Sequence, residues 1–205
     1  CKRESANRQT KEVRSRLKQL HSKSSYSFRP ETKLTERVQS VPKVVLESWA
    51  VMDKRPDYCP YLPTTPERKR LEAALQQLPP LHQRVLRERL LGIYFIENFM
   101  GSGLADWVLD EQGRIYAYMA FNPKVLRGSL SEVLTKKERT CFRSKDDKLQ
   151  VAIDCGQQHN GILYILLHES THIVDYVERI TPHVEPKLPK VLRNGPKTFV
   201  QDVWQ

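Results

Sequence analysis

The sequence contains no run of 18 or more apolar residues, and this absence excludes a segment that spans a membrane. Apolar residues still make up 39% of the 205 positions. That share is enough for one domain with a real core and an extension.

Acidic residues are scarce at the start of the chain. Residues 1–45 contain twelve Lys or Arg and four Glu, so their net charge is 12 − 4 = +8 of the chain's +10. With so few apolar residues, this stretch cannot bury enough surface to fold alone. We therefore expect residues 1–40 to form a basic, poorly ordered tether and residues 41–205 to form the folded domain. The helical spacing of Val13, Leu17 and Leu20 predicts a short helix that docks on the domain or on a membrane.

The basic stretch also lacks interleaved aromatic residues and any recognisable nucleic-acid-binding module. For that reason we expect no nucleic acid partner. A tether near anionic lipid headgroups and a solvated linker are the two other interpretations, and the linker is favoured.

Cysteine is scarce as well, with four in the chain. An N-terminal Cys1 followed by a polar stretch resembles a mature bacterial lipoprotein, and the alternative is a chain boundary that happens to fall at Cys. The resemblance implies a lipid on Cys1 and a location in the bacterial cell envelope, on the periplasmic side or at the outer membrane. Cys141 and Cys155 flank a predicted hairpin and would form a plausible disulfide in an oxidising compartment, which leaves Cys59 unpaired.

The residues that indicate chemistry lie in one predicted helix, which covers residues 160–177 with Asn160 as its N-cap. Apolar residues occupy most of its circumference before the motif, so we expect this helix to be buried nearly all round. His168, Glu169 and His172 form the pattern H-E-x-x-H. The two histidines lie one turn apart, roughly 40° from each other around the helix axis.

Two imidazoles in this relation can bind one tetrahedral metal ion, and zinc is the ion that such spacing usually serves. Glu169 points about 100° away from His168, beside the ion, where it can accept a proton from water. Asp175 follows His172 on the same side of the helix and is a candidate to orient that imidazole; the alternative is an ordinary surface carboxylate near the helix end.

The segment HESTHIVDY at residues 168–176 resembles the active-site helix of zincin metallopeptidases, and the residues after Glu169 look like those of the anthrax lethal factor-like group. By this gluzincin-like resemblance His168 and His172 would be zinc ligands, and Glu169 would be the general base. The resemblance covers about ten residues and implies a zincin-like fold. The metzincin pattern fails, because Asp175 and Glu178 stand where Gly and His are required.

A catalytic zinc needs a third protein ligand. After the motif, the side chains that could be this third ligand are those of Glu178, His183, Glu185 and Asp202. The sequence does not show which of them, if any, binds zinc. Tyr176 and His183 are candidates for oxyanion stabilisation by proximity alone, and they are not assigned either. Cys155 and His159 are weaker candidates for metal ligands than for parts of a structural hairpin.

The rest of the chain predicts an α+β fold. Residues 43–52 are ambiguous between helix and strand. Thr65 and Pro66 open a helix to about Leu78, and a second helix follows to about Leu91. The segment RPDYCPYLPTTP at residues 55–66 contains four prolines and predicts an extended loop. Strands are predicted in GIYFIENF, LADWVLD and RIYAYMAFN, with a hairpin turn at residues 110–113 and a helix with a charged face at 124–139. In RIYAYMAFN, one face of the strand is predicted to hold Ile115, Ala117, Met119 and Phe121, and the other Tyr116, Tyr118 and Ala120.

Two of these strands, GIYFIENF from Gly92 and RIYAYMAFN from Arg114, are candidates for the edge strand that pairs with an extended substrate in zincins, although ordinary sheet packing is the commoner role. The segment 101–103 (Gly-Ser-Gly) is either a turn or part of a cleft.

Together these features predict an α+β, zincin-like domain with a small mixed β-sheet and a buried helix that carries the motif. The expected function is zinc-dependent hydrolysis of peptide bonds in peptide or protein substrates. Two alternatives remain: a catalytically inactive zincin-fold lipoprotein that acts as a binding or structural module of the envelope, and a lipoprotein module in which the H-E-x-x-H pattern is accidental.

Overall fold

The computed structural model describes residues 14–141, 150–156, 159–181 and residue 189. This part of the chain is α+β, with a small mixed sheet of four strands, as the sequence predicts. Residues 14–20 are helical. The longer elements that follow are α1 (Lys43–Met52), β1 (Cys59–Tyr61), α2 (Thr65–Gln76), α3 (Pro80–Arg89), β2 (Leu90–Glu97), β3 (Gly103–Leu109), β4 (Ile115–Phe121), α4 (Leu130–Cys141) and α5 (Gly161–Glu178). Short 3₁₀ helices occur at Lys23–Ser25, Leu34–Arg37 and Pro123–Leu126.

The strands lie in the order β1-β2-β4-β3. β1 and β2 are antiparallel, β2 and β4 are parallel, and β3 pairs antiparallel with β4 from Gly103↔Phe121 to Leu109↔Ile115. The turn before β4 is the predicted one, since Asp110 accepts hydrogen bonds from the Gln112 and Arg114 amides and Gly113 has φ +73°. At that φ a side chain is strained, which accounts for glycine there.

Both faces of the sheet are covered. One face packs against α2, α3 and α5, and the other packs against α1 and the N-terminal segment. The strand β4 follows the predicted alternation: Ala117, Met119 and Phe121 face the first layer, while Tyr116 and Tyr118 face the second. Because neither face of β4 meets solvent, all of its residues are buried.

The folded unit begins earlier than the predicted boundary at residue 41. Leu20 is fully buried, and Tyr26 and Val38 are also buried in the core. The predicted tether is therefore wrong for its described part, residues 14–40, because a few well-spaced apolar residues dock on the sheet even though the composition is basic. Residues 1–13, which include Cys1 and Val13, lie outside the described residues, so lipid attachment stays a prediction.

Arg37 shows how a basic residue becomes part of this core. Its side chain is 2% exposed and donates hydrogen bonds to the carbonyls of Leu86, Arg87 and Leu90 at 2.6–2.7 Å. Leu86 and Arg87 lie in the last turn of α3, and Leu90 begins β2. The Leu86 carbonyl also accepts a hydrogen bond from the Leu90 amide, so the guanidinium strengthens the junction between the helix and the strand. Burial lowers the pKa of the Arg37 guanidinium. The negative charge of the nearby Glu31 acts in the opposite direction and raises this pKa.

The helix boundaries differ slightly from those predicted. Residues 43–52 form a helix, which removes the ambiguity of that segment. The N-cap of α2 is Thr64 rather than Thr65, because Thr64 and Glu67 form a reciprocal capping box that Thr65 cannot form. The segment before it is extended as expected, but it also contributes the short strand β1.

No helix in the described part of the chain is long and apolar enough to cross a membrane.

Candidate functional site

The helix α5 carries the motif, and its first turn is held closely against the start of α4. Asn160 has an extended backbone at the N-cap position, as predicted, but its side chain makes no capping hydrogen bond. The Gly161 amide donates to the Gly128 carbonyl at 3.1 Å. A Cβ at Gly161 would lie 2.6 Å from Val133 Cγ2, so only glycine allows this approach.

The prediction that α5 is buried nearly all round is wrong. One side of the helix is buried, through Ile162, Ile165, Leu166, Ile173 and Val174 among others. The opposite side is exposed and contains Leu167, His168, Thr171 and His172. The helix is therefore amphipathic, with the two imidazoles on its open side. A substrate can reach a catalytic centre only from such a side.

His168 and His172 converge on one point. Their Nε2 atoms are 3.3 Å apart, and the two rings are nearly perpendicular, with an interplanar angle of 84°. Two nitrogens bound to one tetrahedral zinc at about 2.0–2.1 Å lie about 3.3–3.4 Å from each other. A hydrogen bond between nitrogen and its acceptor is usually shorter, about 2.9–3.0 Å. The spacing thus fits a shared ion better than a direct hydrogen bond.

The His168 side chain is also suited to metal binding by its protonation state. Partial desolvation, the neighbouring His172 and the Lys137 ammonium all lower the pKa of His168. A lower pKa favours the neutral imidazole at neutral pH, and the neutral form is the one that coordinates a metal.

Glu169 lies on the buried side of α5, next to the two histidines. It is 7% exposed, and burial raises the pKa of its carboxyl group to about 7, against the opposing effects of the Ala105 backbone hydrogen bond and of Lys137. The carboxylate therefore points toward strand β3, away from the face that holds the imidazoles. Glu169 and His168 nevertheless line the same cleft, and the role of Glu169 as a proton acceptor stays a prediction.

The strand beside α5 is β3, at the edge of the sheet. The prediction of GIYFIENF or RIYAYMAFN as the edge strand is wrong, because β2 and β4 each pair with strands on both sides. Gly103 allows the close approach of β3: a Cβ there would lie 2.5 Å from the Phe121 ring and 3.1 Å from Ile165 of α5. On the outer edge of β3, the Leu109 amide donates to the His21 carbonyl, and the Ala105 amide donates to the Glu169 carboxylate of α5.

A cleft of about 540 Å³ opens between α4, α5, the 3₁₀ helix at Pro123–Leu126 and the loop before β3. Both His168 and Glu169 line it, together with Tyr164, and the segment 101–103 lines it too. The Gly-Ser-Gly segment is thus part of a cleft, which is one of the two roles that the sequence allows. The size suits a few residues of an extended peptide.

A third protein ligand does not emerge among the residues that the structure describes: no group of three His, Cys, Asp or Glu side chains there is arranged to hold a metal ion. Glu178 pairs with Arg84 at 3.0 Å. His183, Glu185 and Asp202 lie outside the described residues. The two imidazoles fit zinc by donor type and spacing. They are one fewer than the three protein ligands of a catalytic zinc site.

Asp175 has described contacts at the end of α5. Its carboxylate accepts hydrogen bonds from the Thr181 amide at 2.7 Å and from the Thr181 hydroxyl at 2.6 Å. These bonds fix the chain just after the left-handed Arg179, where the helix ends. The orientation of His172 by Asp175 stays a prediction.

The cysteines do not form the predicted pair. Cys59, Cys141 and Cys155 are free thiols. Cys141 ends helix α4 rather than a strand, and residues 150–156 have no strand structure, so the predicted hairpin is wrong where the structure describes it. The Cys155 amide donates to Ser131 Oγ, and the His159 carbonyl accepts from the Leu130 amide, so these contacts hold the segment against α4.

Sequence reasoning missed several residues of the site. His82 of α3 contacts Ser170 through Nδ1 at 2.8 Å, and this contact joins α3 to the motif helix. Lys137 and Tyr164 line the cleft beside His168. Lys137 belongs to the charged face predicted for the helix at 124–139, but the direction in which that face points depends on how α4 packs.

Comparison of the chain with protein-family models, with curated proteins and with solved structures gave no match.

Proposed function

We propose that this chain is a zinc-dependent peptidase with a zincin-like, gluzincin-type active site. The observation that carries the proposal is the 3.3 Å separation of the His168 and His172 Nε2 atoms on the open side of α5. The buried Glu169 carboxylate beside them supports it. The order of elements supports the zincin-like fold, since a mixed sheet with an antiparallel edge strand precedes a helix that carries H-E-x-x-H.

The roles of the residues follow from their positions. His168 and His172 would hold the zinc ion with their Nε2 atoms. Zinc supplies a Lewis acid that polarises the scissile carbonyl and lowers the pKa of water. Glu169 accepts the proton of the attacking water at its carboxylate and then donates it to the leaving amine. Hydrophobic packing of α5 on the sheet keeps the carboxylate beside the histidines.

The substrate would be an extended peptide that lies along the edge strand β3. A strand at a sheet edge presents unpaired N–H and C=O groups, and a peptide can add to them as a further strand. Because the Ala105 amide faces the Glu169 carboxylate, this edge leads directly to the site. Backbone pairing there would bring the scissile bond near the motif.

A second candidate function is a zincin-fold module without turnover. The observation that favours it is the lack of a third ligand among the residues that the structure describes. In that case the chain hydrolyses no peptide, with or without bound zinc, and serves as an envelope binding module. Both candidate functions would be carried out in the cell envelope. Mass spectrometry of the N-terminus of the native chain tests this location by the presence or absence of a lipid on Cys1.

The decisive experiment combines zinc content with hydrolysis. After dialysis of the full chain, we expect about one zinc per chain and cleavage of a proteome-derived peptide library. Glu169→Gln keeps the ligand pair, so it should retain zinc and lose at least about 99% of the cleavage rate, since it removes the proton acceptor.

His168→Ala should lose both zinc and activity. His159→Ala is the matched control, because its imidazole is exposed and lies outside the pair, and it should keep both. Cleavage by Glu169→Gln at the parent rate would refute the catalytic role of Glu169. Zinc retention without any cleavage by the parent would favour the module without turnover.

A further inference from the structure

The cleft beside the motif carries an unbalanced positive charge. Three lysines line it: Lys124 from the 3₁₀ helix, and Lys136 and Lys137 from α4. All three are exposed. Each comes from an element that packs against α5 or the start of β3, so they surround the cleft rather than one solvated helix face.

Carboxylates within the cleft do not balance these lysines. Only Glu132 and Glu169 line it. Glu132 caps its own helix, since one of its oxygens accepts from the Ser129 amide at 2.7 Å and from the Ser129 hydroxyl at 3.2 Å. Glu169 is buried toward β3. In the part of the chain that the structure describes, no ion pair joins a carboxylate to Lys124, Lys136 or Lys137.

Described lysines outside the cleft, such as Lys33 and Lys69, also lack an ion pair, so the feature that distinguishes Lys124, Lys136 and Lys137 is that all three line one cleft. Some other basic residues are paired. Lys43 pairs with Glu47, Arg114 pairs with Asp110, and Arg127 pairs with Glu67, at 3.6, 2.7 and 2.7 Å. Like charges gathered in a concave site focus a positive potential there and raise the local concentration of anionic partners. Among the residues that the structure describes, the lysines of the cleft therefore meet few counter-charges.

We infer that the cleft selects acidic peptides, with Asp or Glu side chains within a few residues of the scissile bond held by Lys124, Lys136 and Lys137. This inference rests on the proposed function, since it takes the cleft as the place where the peptide binds. An extended chain along β3 projects alternate side chains to one side, so two or three acidic side chains can face the lysines together. The Lys137 ammonium also lies close enough to His168 and Glu169 to affect both groups.

Binding of defined peptides tests the inference without turnover. The protein is the full Glu169→Gln chain. The probes are a dye-labelled ten-residue peptide of alternating Ala and Glu, its Ala and Gln counterpart, and a single-stranded oligothymidylate of equal charge. By fluorescence anisotropy at 50 mM NaCl, we expect the Glu peptide to bind at least about tenfold more tightly than the Gln peptide. At 300 mM NaCl the ratio of the affinities for the Glu and Gln peptides should fall to about threefold or less, because salt screens exposed charges.

Two triple variants separate the cleft from net charge. Lys124→Gln combined with Lys136→Gln and Lys137→Gln should bind the Glu peptide no better than the Gln peptide. The control combines three Gln substitutions of exposed lysines outside the cleft, at Lys33, Lys43 and Lys69. It loses the same charge and should change the affinity by less than about twofold. Circular dichroism melting curves check that both variants fold.

Three results would overturn the inference: equal affinity for the Glu and Gln peptides, equal loss in the two triple variants, or stronger binding of the oligothymidylate than of the Glu peptide. The proposed function is judged separately by zinc content and hydrolysis. A parent chain that cleaves peptides without a preference for acidic ones would reject the substrate class alone. A chain that binds the Glu peptide in the cleft but cleaves nothing would reject the peptidase alone.

Discussion

At the scale of single residues, the buried Glu169 makes the free energy of unfolding depend on pH. Its carboxyl has an ordinary pKa near 4.5 in the unfolded chain, and burial raises the pKa to about 7 in the folded chain. Between these values the unfolded chain has released the proton and the folded chain has kept it. The free energy of unfolding therefore falls as pH rises through this window. Above this window the buried carboxylate is ionised and costs stability, as polar groups at functional sites often do.

This linkage makes a prediction for Glu169→Gln in metal-free protein. Gln cannot ionise, so the variant should be more stable than the parent by on the order of 2–3 kcal/mol at pH 8, and by close to nothing near pH 4.5. Urea unfolding of both chains after removal of metal, at pH 5 and pH 8, measures the difference. Glu88→Gln is the control, because Glu88 is exposed and should show no such gain. A gain that does not vary with pH would contradict the account.

The sequence predicts that His168 and His172 lie on one side of a helix with Glu169 beside them, because spacing within a helix is local; the structure confirms the helix and brings the two Nε2 atoms to 3.3 Å. The roles of the three residues stay a prediction. The same reasoning did not find Lys137 or His82, which reach the site from α4 and α3. It also placed the histidines on a buried surface. Counting apolar residues around the helix does not reveal which side the rest of the chain covers, and the open side proves to be the one with the motif.

At the scale of elements, β3 and α5 approach each other closely beside the cleft. Gly103 is the contact point, since the Phe121 ring and Ile165 occupy the space that a side chain would need. Overpacking at such a point forces neighbouring groups to move. The strand and the helix would then separate at the site itself.

We therefore expect Gly103→Ala to lower the free energy of unfolding by about 1–3 kcal/mol, because the new methyl group meets the Phe121 ring. Chemical denaturation measures this loss. Gly128→Ala provides the matched comparison, since the nearest atom to a Cβ there is 3.4 Å away, and it should lose less than about 1 kcal/mol. If the two substitutions cost the same, close packing at Gly103 is not what holds β3 against α5.

Element types could be predicted from the sequence, whereas their neighbours could not. The sequence predicts correctly which residues of β4 lie on each face of the sheet, because side chains alternate between the two faces in any strand. Which strand lies at the sheet edge depends on pairing between distant segments, and alternation contains no information about it. The strand LADWVLD, predicted only as a strand, is the one that lies beside the motif helix.

At the scale of the whole molecule, the basic N-terminal segment completes the fold. Its described part covers the face of the sheet opposite to α5. The composition argument failed because it treated Arg37 as a solvated charge. The guanidinium is instead buried and donates to the carbonyls of Leu86, Arg87 and Leu90, where α3 ends and β2 begins.

Arg37→Ala should therefore reduce the free energy of unfolding by about 3 kcal/mol, because it removes the hydrogen bonds to Leu86, Arg87 and Leu90 and creates a cavity. Thermal melting monitored by circular dichroism measures the loss. Arg29→Ala removes an exposed arginine from the same segment and should have an effect below about 0.5 kcal/mol. A similar small effect of both substitutions would mean that the segment is the loosely attached tether that its composition suggests.

The central claim is that His168 and His172 share one zinc ion, and X-ray absorption spectroscopy of the zinc-loaded chain tests it most directly. We predict about one zinc per chain with scattering from two imidazoles at about 2.0–2.1 Å, and loss of the imidazole signal in His172→Ala but not in His159→Ala. Zinc without imidazole scattering, or a chain that takes up no zinc, would contradict the claim.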